Sequence, residues 1–128
     1  MRLYGIRGAT SVEKNDKEAI ITETQRLLNA LVDANNIKRE NVVSIIITTT
    51  PDLTAEFPAK ACRLIGWNDV PLLGALEADV PHGLRMCIRM LLHVYLTEGS
   101  RIKPVYLNEA VKLRPDLYER NETHTDSH

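Results

Sequence analysis

The sequence predicts an α+β domain: a mixed β-sheet with one long helix on a face and short helical turns elsewhere. Three observations predict it. Residues 16–35 carry apolar side chains at spacings of three and four, the repeat of a helix with one buried face. Residues 42–50 and 86–96 are dense in Val, Ile, Thr, Met and Leu and follow the logic of a sheet. Pro, Gly and Asp punctuate the remainder at short intervals.

The elements follow in order. Residues 2–8 mix Leu3, Tyr4 and Ile6 with Arg and Gly and read as a strand. Gly8 either ends it or lets a backbone approach closely. Asn15 or Asp16 can cap the long helix, with Glu18 in its first turn, where negative charge is favoured. Ile20, Ile21, Thr24, Leu27, Leu28, Leu31 and Val32 form its apolar face, which ends near Asn35 and Asn36. Val42 to Thr50 is β-branched and apolar on both faces at its centre, so it belongs inside a sheet. Pro58 suits a first helical turn and Gly66 an end, giving a short helix over 58–65 with Ala59, Lys60 and Arg63 near its start and along one side.

Val70 to Leu76 reads as a strand, followed by a turn at Val80-Pro81-His82-Gly83. From Met86 to Leu96 alternate residues form one wholly apolar row. Period two over eleven residues favours a strand over a buried helix. A turn at Glu98-Gly99-Ser100 leads to a last short strand, 104–107. Asn108 to Leu113 is compatible with a helical turn or an extended run. The ordered part should end at Arg114-Pro115-Asp116, giving one domain over 1–118 and a polar, mobile tail over 119–128. One helix covers one face of the sheet. The other face lacks cover, and an oligomer is the natural remedy.

With 128 residues the chain holds one domain. Its 16 basic and 17 acidic residues leave a net charge of -1, so no charge excess points to nucleic acid or a membrane surface. No leader-like segment and no apolar run of roughly 18 residues is present, which makes a cytoplasmic location the expectation. Cys62 and Cys87 read as buried, reduced thiols. The four histidines, His82, His93, His124 and His128, have no metal-ligand spacing, and no nucleotide loop or nucleophile elbow occurs. Neither a metal nor another cofactor is expected. His93 reads as a satisfied, partly buried residue.

Arginine in apolar surroundings stands out. Arg89 interrupts an apolar strand, and Arg7 lies beside Gly8. Desolvating a guanidinium costs several kcal/mol unless an anion meets it. Two readings stand: a structural ion pair, such as Arg89 with Glu77, or a pocket for an anionic ligand, whose carboxylate the planar fork of Arg suits. Glu77 and Asp79, taken alone, read as a solvated strand end.

The chain resembles the monofunctional chorismate mutases of the AroH type, typified by Bacillus and Thermus enzymes. The resemblance rests on Gly5-Ile6-Arg7-Gly8-Ala9-Thr10, Thr50-Pro51-Asp52-Leu53, Phe57-Pro58-Ala59-Lys60-Ala61, Val70-Pro71-Leu72, Cys87-Ile88-Arg89 and Val105-Tyr106-Leu107 through Leu113-Arg114-Pro115-Asp116. It implies a homotrimer, its sheets packed as a pseudo α/β-barrel, with active sites between subunits. It implies the rearrangement of chorismate to prephenate in phenylalanine and tyrosine biosynthesis, a pericyclic shift that needs no cofactor. By the same resemblance, Arg89 meets the ether oxygen, Arg7 a substrate carboxylate, Glu77 the ring hydroxyl, and Tyr106 the enolpyruvyl carboxylate. Phe57, Ala59, Lys60 and Arg63 form a wall from the adjoining subunit. Leu73, Gly74, Ala75, Leu76 and Glu77 line the site, and Leu113 and Arg114 close it. Gly74 stands where the Bacillus-type sequence has cysteine, and Leu73 where it has threonine. A reduced substrate affinity is the expected consequence at most. The rival reading is a non-catalytic trimer that binds a small dicarboxylate of the same pathway.

Overall fold

The structure, a computed structural model, describes residues 1–113. The expected chain end at Arg114-Pro115-Asp116 and the tail from Glu119 lie outside the described residues. Five strands form one sheet in the order β3-β2-β4-β1-β5. They are β1 (Arg2–Ser11), β2 (Val42–Thr49), β3 (Leu72–Leu76), β4 (Cys87–Leu96) and β5 (Val105–Tyr106). β4 runs antiparallel to both β1 and β2, while β3 and β5 add in parallel at the two edges. Helices α1 (Lys17–Asn35) and α2 (Pro58–Leu64) and 3₁₀ turns at Arg39–Asn41 and Asn108–Leu113 complete the chain. The mixed α+β architecture expected from the sequence is therefore the one adopted. No helix among the described residues is long and apolar enough to cross a membrane.

The central strands form as their side chains dictate. In β4, Ile88, Met90, Leu92 and Val94 are buried, whereas Arg89 and Tyr95 are exposed. The alternation thus selects a strand over a helix. β2 lies between β3 and β4, with a register irregularity between Val42 and Ser44, and buries Ile45 and Ile47. Residues paired across strands share a face. Ile6, Gly8, Thr10, Ile45, Ile47, Ile88, Met90 and Leu92 therefore face one side, against α1.

The helix follows its predicted bounds closely. Asp16 supplies the N-cap, its Oδ2 accepting from the Ala19 N–H at 3.0 Å. Asn36, in the left-handed region at φ 52°, ends the helix. Ile20, Leu27, Leu28 and Leu31 are fully buried against the sheet. Each such side chain stabilises the fold by about 1.5–3 kcal/mol.

Three boundaries differ from expectation. β1 continues past Gly8 to Ser11, because Ala9, Thr10 and Ser11 pair with Arg89, Ile88 and Cys87. Gly8 serves close approach instead of termination. β3 begins at Leu72; Pro71 has no N–H, and its carbonyl takes the Ile45 N–H at 3.0 Å. The last strand shortens to Val105 and Tyr106, and Asn108–Leu113 resolves as 3₁₀ turns.

Among the described residues no long helix lies over the second face of the sheet. Leu3, Leu73 and Tyr95 are exposed there. A Cβ at Gly8 would lie 2.9 Å from the Val105 carbonyl oxygen and 3.0 Å from Leu27 and Leu31. A Cβ at Gly5 meets nothing nearer than Leu91 at 3.7 Å. Gly8→Ala should thus cost about 1–3 kcal/mol through overpacking, visible as a lowered Tm, while Gly5→Ala should leave the Tm within a few degrees of the parent.

Candidate active site

The open face of the sheet gathers charge. Arg89 lies mid-sheet, its Cα partnered by Ala9 on β1 and Thr48 on β2. Arg7 pairs with Leu91, two residues along, so both guanidiniums rise from the same face. Tyr106 joins them, because its partner is also Ala9. Together with Leu113, Ile46 and Thr48 these residues line a groove of about 460 Å³.

Glu77 lies beside the groove, in contact with two of its lining residues, Thr48 and Arg89. It is the first residue after β3, and its N–H donates to the Thr49 carbonyl at 2.9 Å. That bond turns the side chain across β2. Its Oε2 accepts from the Thr48 hydroxyl at 2.6 Å and lies 3.2 Å from Arg89 Nε. The ion pair anticipated from sequence is present, and its Arg89 lines the groove. Glu77 is 15 % exposed and Arg89 50 % exposed. An ion pair this open contributes at most about 1 kcal/mol to stability. The contact uses Nε, the inner nitrogen of the guanidinium, so the outer two extend past the carboxylate. A second cavity of about 280 Å³, under residues 78–85, also reaches Arg89 and Glu77.

The start of β4 is stitched to the end of β2. Both oxygens of Asp52 accept the Met86 N–H at 3.1 Å, which holds Met86 in the left-handed region at φ 55°. Thr50 Oγ1 donates to Asp52 at 2.6 Å and accepts the Cys87 N–H at 2.9 Å. The backbone three residues before Arg89 is thereby fixed.

The other predicted residues lie elsewhere. Phe57, Ala59, Arg63, Gly74, Ala75 and Leu76 border a cavity of about 720 Å³ between α2 and the β3 edge. Ile47 and Thr49 also line it, and these are the Cα partners of Gly74 and Leu76. A Cβ at Gly74 would meet only the Ile47 carbonyl, at 3.8 Å, so the position is roomy. Asn15 ties the preceding loop to the head of α1. Its Oδ1 accepts the Thr54 and Ala55 N–H groups, each at 2.9 Å. Phe57 beyond it is 78 % exposed. Lys60 pairs with Glu56 at 3.3 Å and lines none of these three cavities. Leu73 is exposed on the open face, opposite Ile46. Arg114 lies outside the described residues. Within one chain the predicted set is thus divided in two. Among the described residues no group of three His, Cys, Asp or Glu side chains converges as metal ligands would.

Residues 3–117 match the chorismate mutase type I family. The chain belongs to that family. It is 45 % identical over 119 residues to chorismate mutase AroH of Bacillus subtilis (strain 168), covering 91 % of this chain and 94 % of that one. It is 49 % identical over 115 residues to chorismate mutase AroH of Thermus thermophilus, covering 88 % and 94 %. Among solved structures it is similar to a chorismate mutase from Clostridium thermocellum, with a TM-score of 0.80 and 44 % identity over 84 % of this chain and 96 % of the other.

In this type I chorismate mutase, sequence reasoning missed Thr48, Asp52 and Asn15. Thr48 read only as a sheet former and Asp52 as part of a strand break. Their partners lie 29 and 34 residues away along the chain, beyond any local pattern. The one available signal for Thr48 was its parity with Ile46 in an interior strand. His93 behaves as expected, with its Nδ1 3.0 Å from Ser44 Oγ.

Both cysteines are buried and free. Burial pushes each thiol from 9.0 up to about 11. Folded thiols keep their protons where unfolded ones lose them. Their contribution to stability is thus intact below pH 9.0 and declines up to about 11. A disulfide reagent at neutral pH should label neither thiol in the native protein and both after denaturation, and the denaturation midpoint should fall across that alkaline window.

Proposed function

We propose that this chain converts chorismate to prephenate, with the groove around Arg89 as one wall of the active site. The observation that carries this reading is the Arg89–Glu77 pair beside Arg7 and Tyr106 on an uncovered sheet face. The reaction is unimolecular: a C–O bond breaks as a C–C bond forms, with no nucleophile and no proton transfer. The protein has two tasks. It holds the substrate in its compact reactive conformer, and it stabilises the charge that separates as the ether bond lengthens.

Arg89 meets the ether oxygen as it becomes negative. Glu77, through the oxygen not shared with Arg89 and Thr48, accepts from the ring hydroxyl on the electron-poor fragment. Arg7 and Tyr106 take the substrate carboxylates. Leu73 to Leu76 border the site, and Leu113 and Arg114 close it.

The wall opposite is supplied by Phe57, Ala59, Lys60 and Arg63 of a neighbouring subunit in a homotrimer. Two observations support this. One chain holds the two residue groups apart. Arg89 is also half exposed, and a charge in contact with water stabilises an anion weakly. A second chain laid over the groove excludes that water and strengthens every interaction within it.

Adding pure protein should remove the enol ether absorbance of chorismate. Arg89→Ala should lower kcat/KM by 10²–10³, about 3–4 kcal/mol, as for other preorganised donors. Arg89→Lys should recover only a part, because the fork geometry is lost. Near-parental turnover in Arg89→Ala would remove this residue from the reaction. Arg7→Ala and Arg63→Ala subunits, each inactive alone, should regain activity when unfolded and refolded together. Mixtures that stay inactive would sink the shared site.

A further inference from the structure

We infer that Thr48 is a positioning residue for the reaction, acting through the Glu77 carboxylate; this rests on the role proposed above for Glu77. Thr48 is the penultimate residue of the interior strand β2, directly between two residues of the site. Its Cα is paired with Arg89 on one side and with Ala75, two residues before Glu77, on the other. Its hydroxyl donates to Glu77 Oε2 at 2.6 Å, the same oxygen that lies 3.2 Å from Arg89 Nε.

Glu77 lies just beyond the end of β3, where its own N–H bond to Thr49 anchors the backbone. A glutamate side chain there has three free torsions, and an Arg contact alone leaves either oxygen able to take part. A hydroxyl on a β-branched residue is different. Its χ1 is restricted, and its donor is fixed to a strand bonded on both edges. Thr48 therefore selects which carboxylate oxygen faces Arg89 and leaves Oε1 directed at the substrate. It also divides the ionic contact, so that Oε2 is satisfied without drawing the outer guanidinium nitrogens away from the groove. Valine has the same shape and sheet preference but lacks the donor. In the valine variant the carboxylate is free to turn and to close on Arg89 with both oxygens.

The test is a cycle of Thr48→Val, Thr48→Ser and Glu77→Ala, read by kcat and KM for chorismate and by titration calorimetry with prephenate. Thr48→Val should lower kcat/KM by about tenfold, the low end for losing a hydrogen bond to a charged group, with its Tm unchanged. Thr48→Ser should restore activity to within about twofold, since the hydroxyl returns. In the Glu77→Ala background the valine substitution should change neither kcat/KM nor the prephenate Kd, because no carboxylate remains to be held. The calorimetric arm keeps the cycle readable when turnover is low. If Glu77→Ala costs activity and Thr48→Val does not, Thr48 has no such role and the reading of Glu77 stands. If Glu77→Ala itself is without effect, the assignment of Glu77 fails first. An equal loss from Thr48→Val in both backgrounds would make the residue structural and overturn the inference.

Discussion

The contact between Arg89 and Glu77 across β2 is the interaction on which the site depends. Neither residue is placed by its own strand alone. Arg89 is fixed by ladders to β1 and β2, and its approach is set by the Asp52 clamp on Met86. Glu77 is swung over β2 by its bond to the Thr49 carbonyl. Two opposite charges are thus brought together on an open sheet face, where their attraction adds little to folding. The arrangement makes more sense as preorganisation. A guanidinium already oriented by a carboxylate needs little reordering when a new anion arrives.

The second constraint is architectural. Among the described residues one long helix covers one side of a five-stranded sheet and leaves the other open. The cationic groove lies on the bare side. Phe57, Ala59 and Arg63 border a cavity that reaches the other face through Ile47 and Thr49. The roomy position at Gly74 belongs to that second cavity. In the homotrimer proposed above, a site built from both groups would be completed by a second copy laid on this face.

Much of the fold was legible because its signals are local. The period-two row from Met86 to Leu96 identified a strand that residue preferences alone would have left ambiguous. The three-four repeat and Asp16 defined α1 almost to the residue. Gly8 was recognised as unusual, yet its effect on β1 depended on a partner strand almost a hundred positions away. Asn108–Leu113 stayed undecided because a left-handed residue, Asn108 at φ 56°, opens the segment and no apolar period reveals that. The site divides in the same way. A charged residue in an apolar strand announces itself, as Arg89 did, whereas Glu77 taken alone read as a solvated strand end and entered the site only as a partner for Arg89 and through the family resemblance. The side chains that hold them, Thr48 and Asp52, are ordinary in their own neighbourhoods and acquire their roles only through distant contacts.

The edge strand β3 has a consequence of its own. Among the described residues it is bonded to β2 on one side only, and it presents Leu73 and Leu76, 64 % and 69 % exposed. An unpaired apolar edge invites another extended chain, which is how clumping begins. Its brevity is the safeguard, because five residues give a stray strand little to hold.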